Sequence, residues 1–260
     1  MNWAENIFKK NARIFLELMN LKWEVAKKEA ASIVKILKRY EIHNGNILDV
    51  MCGNGRIGLN LSKFGYRVTG IDFSELFIND AKRRAHTMGV EDRVRFICSN
   101  VDSIYTILNS NEKFKAILLV WTSIGYYGKN FDFRLFRDLR ELADHNGLLL
   151  IIDTLSREYI KASLPQLSVF ETDNFRVYSN YFYNAATSKL TIKWTFFRKS
   201  GFTERYHDSC FMEIYLYSYP ELESILERAG WTILEEFDNV SEFSRRKNSS
   251  MINIVAITKK

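Results

Sequence analysis

The chain has 260 residues, 47% apolar and 26% charged, the make-up of a globular protein able to bury a large core. No apolar run approaches the roughly 18 residues of a membrane span. The N-terminal stretch MNWAENIFKKNARIFLEL carries acids where a secretory leader would be apolar, and 14% aromatics with only two prolines argue against disorder.

Residues 4–40 read as helix, broken near Asn20, with apolar residues at helical spacing (Ile7, Ile14, Phe15, Leu18, then Val25, Ala26, Ile33, Val34, Leu37). His43-Asn44-Gly45-Asn46 is turn chemistry. Five short apolar runs follow as predicted strands, at 47–51, 67–71, 93–98, 115–121 and 147–153. Helical segments separate them near 56–64, 75–88, 101–109 and 131–144. Runs such as AILLV and LLLII suit parallel strands covered on both faces, so the fold class is α/β with a doubly wound sheet. From about 169 to 217 the text becomes aromatic and alternating, which predicts three inserted antiparallel strands. Tyr219-Pro220-Glu221 opens a helix that ends at Gly230, and strands at 231–237 and 251–258 close the chain as a hairpin. The implied layout is a helical cap over 1–45, an α/β core over 46–153 and 219–260, and a β insertion over 154–218.

Three separated cysteines, Cys52, Cys98 and Cys210, fit neither a disulfide framework nor a zinc site and point to a reducing, cytoplasmic setting. His43, His86, His145 and His207 show no metal-ligand spacing. The net charge of +6 is carried by scattered basic pairs and two short runs, Lys82-Arg83-Arg84 and Arg245-Arg246-Lys247, which reads as a solvated surface rather than a nucleic-acid track.

The most informative stretch is Ile47-Leu48-Asp49-Val50-Met51-Cys52-Gly53-Asn54-Gly55-Arg56-Ile57-Gly58, an apolar strand running through a glycine turn into a helix. Glycines there let a backbone approach a ligand, and the helix start offers unpaired N–H donors. A second acid, Asp72, ends the next strand, where a carboxylate can take both hydroxyls of a ribose. The pair indicates an adenosine-containing ligand. Gly53, Gly55 and Gly58 also satisfy GxGxxG with Asp72 19 residues after Gly53, so a nicotinamide dinucleotide stays open on spacing alone.

The stretch ILDVMCGNGRIGLNLSKFGYRVTGIDFS resembles motifs I and II of class I S-adenosylmethionine-dependent methyltransferases, most closely the small-molecule-type methyltransferase domain. The resemblance implies a Rossmann-like seven-stranded sheet with S-adenosyl-L-methionine as cofactor. It implies a binding set of Asp49, Met51, Gly53, Asn54, Gly55 and Arg56, then Asp72 and Phe73, then Asn100, Val101 and Asp102, and finally Trp121. Phe114–Tyr127 resembles the motif whose strand delivers residues to the reacting methyl, and Ser218–Gly230 the helix before the sixth strand. Met51 stands where the family has the first glycine of the turn, and Asn100 where it has Asp.

Methyl transfer from a sulfonium is an in-line displacement that asks mainly for alignment and water exclusion. Tyr126 is a candidate at the reacting centre and His207 a candidate general base, the alternatives being packing at a sheet edge and an exposed strand position. The absence of an (Asp/Asn)-Pro-Pro-(Tyr/Phe) sequence and of a Pro-Cys pair disfavours nucleic-acid bases and points to a small-molecule acceptor. The aromatic insertion could close over that acceptor or pair two subunits as a homodimer. The competing functions are an RNA or protein methyltransferase, an NAD-dependent oxidoreductase, and a binding module that keeps the fold without turnover.

Overall fold

The computed structural model describes residues 3–108, 112–164, 167–201, 203–240, 244–245 and 251–259. The chain opens with α1 (Trp3–Glu5), a π-helical turn over Asn6–Lys10, α2 (Ala12–Leu21) and α3 (Trp23–Arg39). The break expected near Asn20 falls at Lys22, which ends α2 and starts α3. The α/β alternation follows: β1 (Asn46–Val50), α4 (Arg56–Ser62), β2 (Arg67–Asp72), α5 (Glu75–Met88) and β3 (Val94–Cys98). A 3-10 turn over Val101–Ser103 leads into α6 (Ile104–Ile107), then β4 (Phe114–Val120), α7 (Lys129–Leu142) and β5 (Ala143–Thr154).

The insertion comprises α8 (Arg157–Ser163), β6 (Leu167–Glu171), β7 (Phe175–Asn184), β8 (Lys189–Ser200) and β9 (Thr203–Tyr215). After it come α9 (Tyr219–Arg228), β10 (Trp231–Asn239), the two-residue β11 (Ser244–Arg245) and β12 (Ile252–Thr258). Ser218 and Glu221 form a reciprocal cap on α9, with Pro220 in its first turn.

The main sheet runs β11-β10-β12-β5-β4-β1-β2-β3, seven long strands plus the short β11 at the edge. β1 to β5 are mutually parallel, and β12 is antiparallel to both β5 and β10. This is the doubly wound sheet expected from the five apolar runs. The closing hairpin forms at that end of the sheet, with β12 between β5 and β10. Of the second basic run, Arg246 and Lys247 lie outside the described residues.

Continuous burial of Ala116–Val120 and Leu148–Ile152 reflects cover on both faces. Ile33, Ile36 and Leu37 of α3 with Ile57 and Leu61 of α4 pack on one face, and Phe136 and Leu139 of α7 with Leu222 and Leu226 of α9 on the other. The insertion is a separate antiparallel sheet of four strands, β6-β7-β8-β9, not three. The extra strand, Leu167–Glu171, is short and half exposed, so its sequence carries little apolar signal. The inner face of this sheet (Val177, Leu190, Ile192, Phe196, Ile214) buries Ile7 and Ile14 of the N-terminal segment. Phe15 adds edge-on contacts to Trp194 and Phe196 at 5.1 and 5.9 Å. Burial of each such side chain stabilises by about 1.5–3 kcal/mol, enough to seat the cap between the two sheets.

Candidate active site

The order β3-β2-β1-β4-β5 reverses direction of growth between β1 and β4, and ligands of such sheets bind beyond the carboxyl ends of the strands at that reversal. A cavity of about 210 Å³ lies there, walled by residues that follow β1, β2, β3 and β4.

Its floor is the glycine turn. Cys52 N donates to Ile71 O, and Gly55 N to Cys52 O, so the turn is fixed to the end of β2. Gly55 has φ +70, and a Cβ there would come within 2.6 Å of the Phe96 ring, so only glycine fits. Met51 takes a left-handed φ of +57 without being glycine, a strain of roughly 1–2 kcal/mol. Its side chain packs against the core on the α7 face while lining the cavity. Asp72 closes this side: its Oδ2 accepts from Gly53 N and its Oδ1 from Ser74 N, both at 2.9 Å. Burial raises the Asp72 carboxyl from 3.8 to about 6, against the pull of those amides. Asp49 lies deeper, with Oδ2 lacking a partner, and burial raises it to about 7 although the Arg56 charge opposes this.

The cap forms the roof. Phe8 and Met19 line the cavity, and the Phe8 ring meets Phe73, Phe77 and Tyr126 at 5.8, 6.2 and 6.4 Å. Ser74 starts α5, yet its hydroxyl is spent on Phe8 O at 2.7 Å instead of capping its own helix. Asn54 Nδ2 donates to Asn20 Oδ1 at 3.2 Å and to Asp80 Oδ2 at 3.4 Å, and Arg84 bonds both of those acceptors. Asn54 therefore ties the glycine turn to α2 and α5.

The far wall is strained backbone. Trp121 and Thr122, just past β4, have φ +64 and +55, and Asp153 at the end of β5 has φ +52. Hydrogen bonds hold this shape: Trp121 N to Ile152 O, Thr122 Oγ1 to Asp153 O, Ser123 Oγ to Val120 O. The Trp121 indole N–H is shared between both carboxylate oxygens of Glu29, each at 3.0 Å. The Arg56 guanidinium lies 4.7 Å from the centre of the same ring. Arg56 is 8% exposed, its Nε is buried without a partner, and among the described residues no hydrogen bond or ion pair reaches its guanidinium. A buried charge without a partner is costly and marks a place for an anion.

The cavity thus gathers Met51, Gly53, Arg56, Asp72, Phe73, Asn100, Val101, Trp121 and Tyr126 from the residues singled out in the sequence. Others stand behind the wall: Asp49 is buried beneath it, Gly55 packs on Phe96, and Asn54 serves the roof clamp. Asp102 is exposed and accepts from the Ser103 hydroxyl, outside the lining. His207 lies on the exposed part of β9 with its ring 5.2 Å from Phe175, and it does not line the cavity. The sequence reading missed Phe8, Met19, Phe77 and Ser123 in the lining and Glu29 behind Trp121. The helical spacing of Phe15 and Leu18 marked the cap as amphipathic, but nothing in it said which face would meet the cavity.

Residues 47–147 match the model of a methyltransferase domain. A protein of Geobacillus sp. (strain WCH70) named as a methyltransferase is 27% identical over 235 residues, covering 86% of this chain and 89% of its own. The crystal structure of an S-adenosylmethionine-dependent methyltransferase from Clostridium acetobutylicum ATCC 824 superposes with a TM-score of 0.78 at 18% identity, covering 98% of this chain and all of that one. An amino pentose methyltransferase from Micromonospora echinaspora, involved in calicheamicin biosynthesis, superposes with a TM-score of 0.70 at 12% identity, covering 90% of this chain and 92% of that one.

Proposed function

We propose that the chain is an S-adenosylmethionine-dependent methyltransferase of class I fold and that it moves the methyl group to a small-molecule acceptor beside Tyr126 and Trp121. The roof carries this reading. Phe8 and Met19 close over about 210 Å³, an enclosure that favours a small or narrow acceptor reaching in beneath the cap. The likeness to an amino pentose methyltransferase agrees with an acceptor of sugar size. The three free cysteines, with Cys98 exposed, agree with a reducing compartment such as the cytoplasm.

Three groups fit the cofactor. Asp72 keeps a lone pair on each oxygen for the ribose hydroxyls. Asn100 offers an exposed amide beside the cavity for the adenine edge. Arg56 offers unspent donors for the single anionic group, the carboxylate of the amino-acid end. When bound, the cofactor supplies a methyl group already activated by sulfonium charge. The protein's share is alignment and exclusion of water, together with the aromatic faces of Phe8, Trp121 and Tyr126, which favour a cation.

The titratable side chains lining the cavity are Arg56, Asp72, Tyr126 and Tyr127. Burial raises both phenols above their ordinary value, so at neutral pH they hold their protons. Asp72 is engaged by two amides. Among the described residues that line the cavity none is a free base for an acceptor that must first lose a proton, such as an alcohol, whereas a neutral amine attacks directly. We therefore assign the acceptor to the amines.

The test is calorimetric titration with S-adenosylmethionine, S-adenosylhomocysteine and NADH, repeated on Asp72→Ala, followed by methyl transfer to amine and alcohol panels. Binding of both adenosyl compounds, lost in the variant, with transfer to amines is expected. Binding of NADH alone overturns the cofactor assignment; transfer confined to RNA or protein overturns the acceptor class.

A further inference from the structure

Glu29 belongs to α3, in the cap rather than the α/β core, and no motif marks it. A glutamate at this point of an amphipathic helix would ordinarily face water. Here it is half-buried, and both its carboxylate oxygens accept the Trp121 indole N–H. The other end of Trp121 is held in a left-handed backbone conformation by β5. The ring is therefore fixed at two points, and its face is where the Arg56 guanidinium rests, 4.7 Å from the ring centre.

This arrangement solves a problem for Arg56. A direct ion pair with Glu29 would occupy the guanidinium fork and leave nothing for a ligand. The charges of Glu29 and Asp49 instead offset the burial of Arg56 from a distance, while the ring face holds it without using an N–H donor. Arg56 Nη1 then sits 3.8 Å from the point where a side chain on Gly53 would begin, at the lip of the glycine turn.

We infer that Glu29 is a positioning residue: by fixing Trp121 it presents the Arg56 guanidinium, with its donors unspent, to the carboxylate of the cofactor's amino-acid end. The inference rests on the proposal above that Arg56 meets that carboxylate. It gives α3 a second task besides covering the sheet, since a helix of the cap then determines how the amino-acid end of the cofactor is gripped.

The test compares two ligands that share the adenosine part. S-adenosylhomocysteine carries the α-amino carboxylate and 5′-methylthioadenosine lacks it. Glu29→Ala is expected to weaken S-adenosylhomocysteine on the order of tenfold, the loss of a charge-assisted contact, while 5′-methylthioadenosine stays within about twofold. Glu29→Gln keeps an acceptor oxygen for the indole but not the charge that offsets the burial of Arg56, and recovers part of the affinity lost in Glu29→Ala. Trp121→Phe keeps a ring but no N–H donor, reproduces the selective loss, and adds nothing when combined with Glu29→Ala. Equal weakening of both ligands, or a Gln variant as damaged as the Ala variant, overturns the positioning role and leaves the cofactor reading standing. A wild-type protein that binds neither ligand overturns the cofactor reading itself, and this inference with it.

Discussion

Asp72 is a buried carboxylate whose two oxygens each accept one amide hydrogen, from Gly53 and Ser74, and burial raises it from 3.8 to about 6. Only the ionised form can accept from two ribose hydroxyls while keeping both amides. Cofactor affinity is therefore expected to be flat above pH 7 and to fall as pH drops through about 6, by roughly tenfold per unit below it as one proton is taken up. Calorimetry across pH 5 to 8 checks this, and Asp72→Asn should bind weakly with no such slope. The sign is opposite for the stability of the ligand-free protein. Between 3.8 and about 6 the folded chain holds a proton that the unfolded chain has lost, so the contribution of Asp72 to stability falls as pH rises through that window. The identity of Asp72 as a ligand candidate was legible because strand, glycine turn and second acid follow one another in sequence. Glu29 was not, because its partner Trp121 lies 92 residues away and hydrogen bonds to an indole leave no spacing signature.

Between β4 and α7 the loop through Tyr126 and Tyr127 is moored at Gly125. Its N–H donates to Asp132 Oδ2 at 2.9 Å, and Tyr217 donates to that same oxygen at 2.6 Å. Its carbonyl accepts from Tyr215 N at 2.9 Å. Gly125 has φ +87, and a Cβ there would lie 2.2 Å from the Tyr215 carbonyl oxygen, which is backbone and cannot yield. Gly125→Ala is expected to cost about 2 kcal/mol, or roughly 4–8 °C in melting temperature, and to lower kcat because Tyr126 shifts with the loop. Thermal melts and turnover on the same samples check both. At this scale the long apolar strands were readable from composition alone, since burial on both faces leaves little room for polar residues. The turn after β4 was not readable: Trp121 and Thr122 take left-handed backbone with no glycine to announce it, and the conformation is held by the hydrogen bonds they donate to carbonyls of β5. Strand β6 escaped for the converse reason, its five residues being half exposed on a sheet edge.

Across the whole molecule the cap belongs to two cores at once. Phe8 covers the cavity above β2 and α5, while Ile7 and Ile14, on either side of it in sequence, are buried against the second sheet. Lys10 and Asn11 both reach Asp208 on β9, at 2.8 and 3.3 Å. A ligand held under the roof therefore resists opening of both sheets. S-adenosylhomocysteine at a hundred times its dissociation constant is expected to add about 2.7 kcal/mol, or roughly 5–10 °C in melting temperature. Amide hydrogen exchange should slow in residues 3–21 and in β9 together; protection confined to the glycine turn would show that the roof opens independently. The α/β half of this architecture was legible because its alternation of apolar runs and helical segments is written along the chain, and the seating of the cap was not, because it depends on pairs such as Asn11 and Asp208, 197 residues apart.

That separation has a consequence for the protein's birth. A ribosome delivers the chain in order, so the glycine turn and Asp72 are complete while β9 has yet to be made. Until then the roof segment has no second sheet to rest on, and Ile7, Ile14 and Phe15 stay exposed to solvent or to a chaperone. The enclosed cavity is thus among the last features to form, and a nascent chain stalled before residue 203 carries the cofactor motifs without the enclosure that makes them selective.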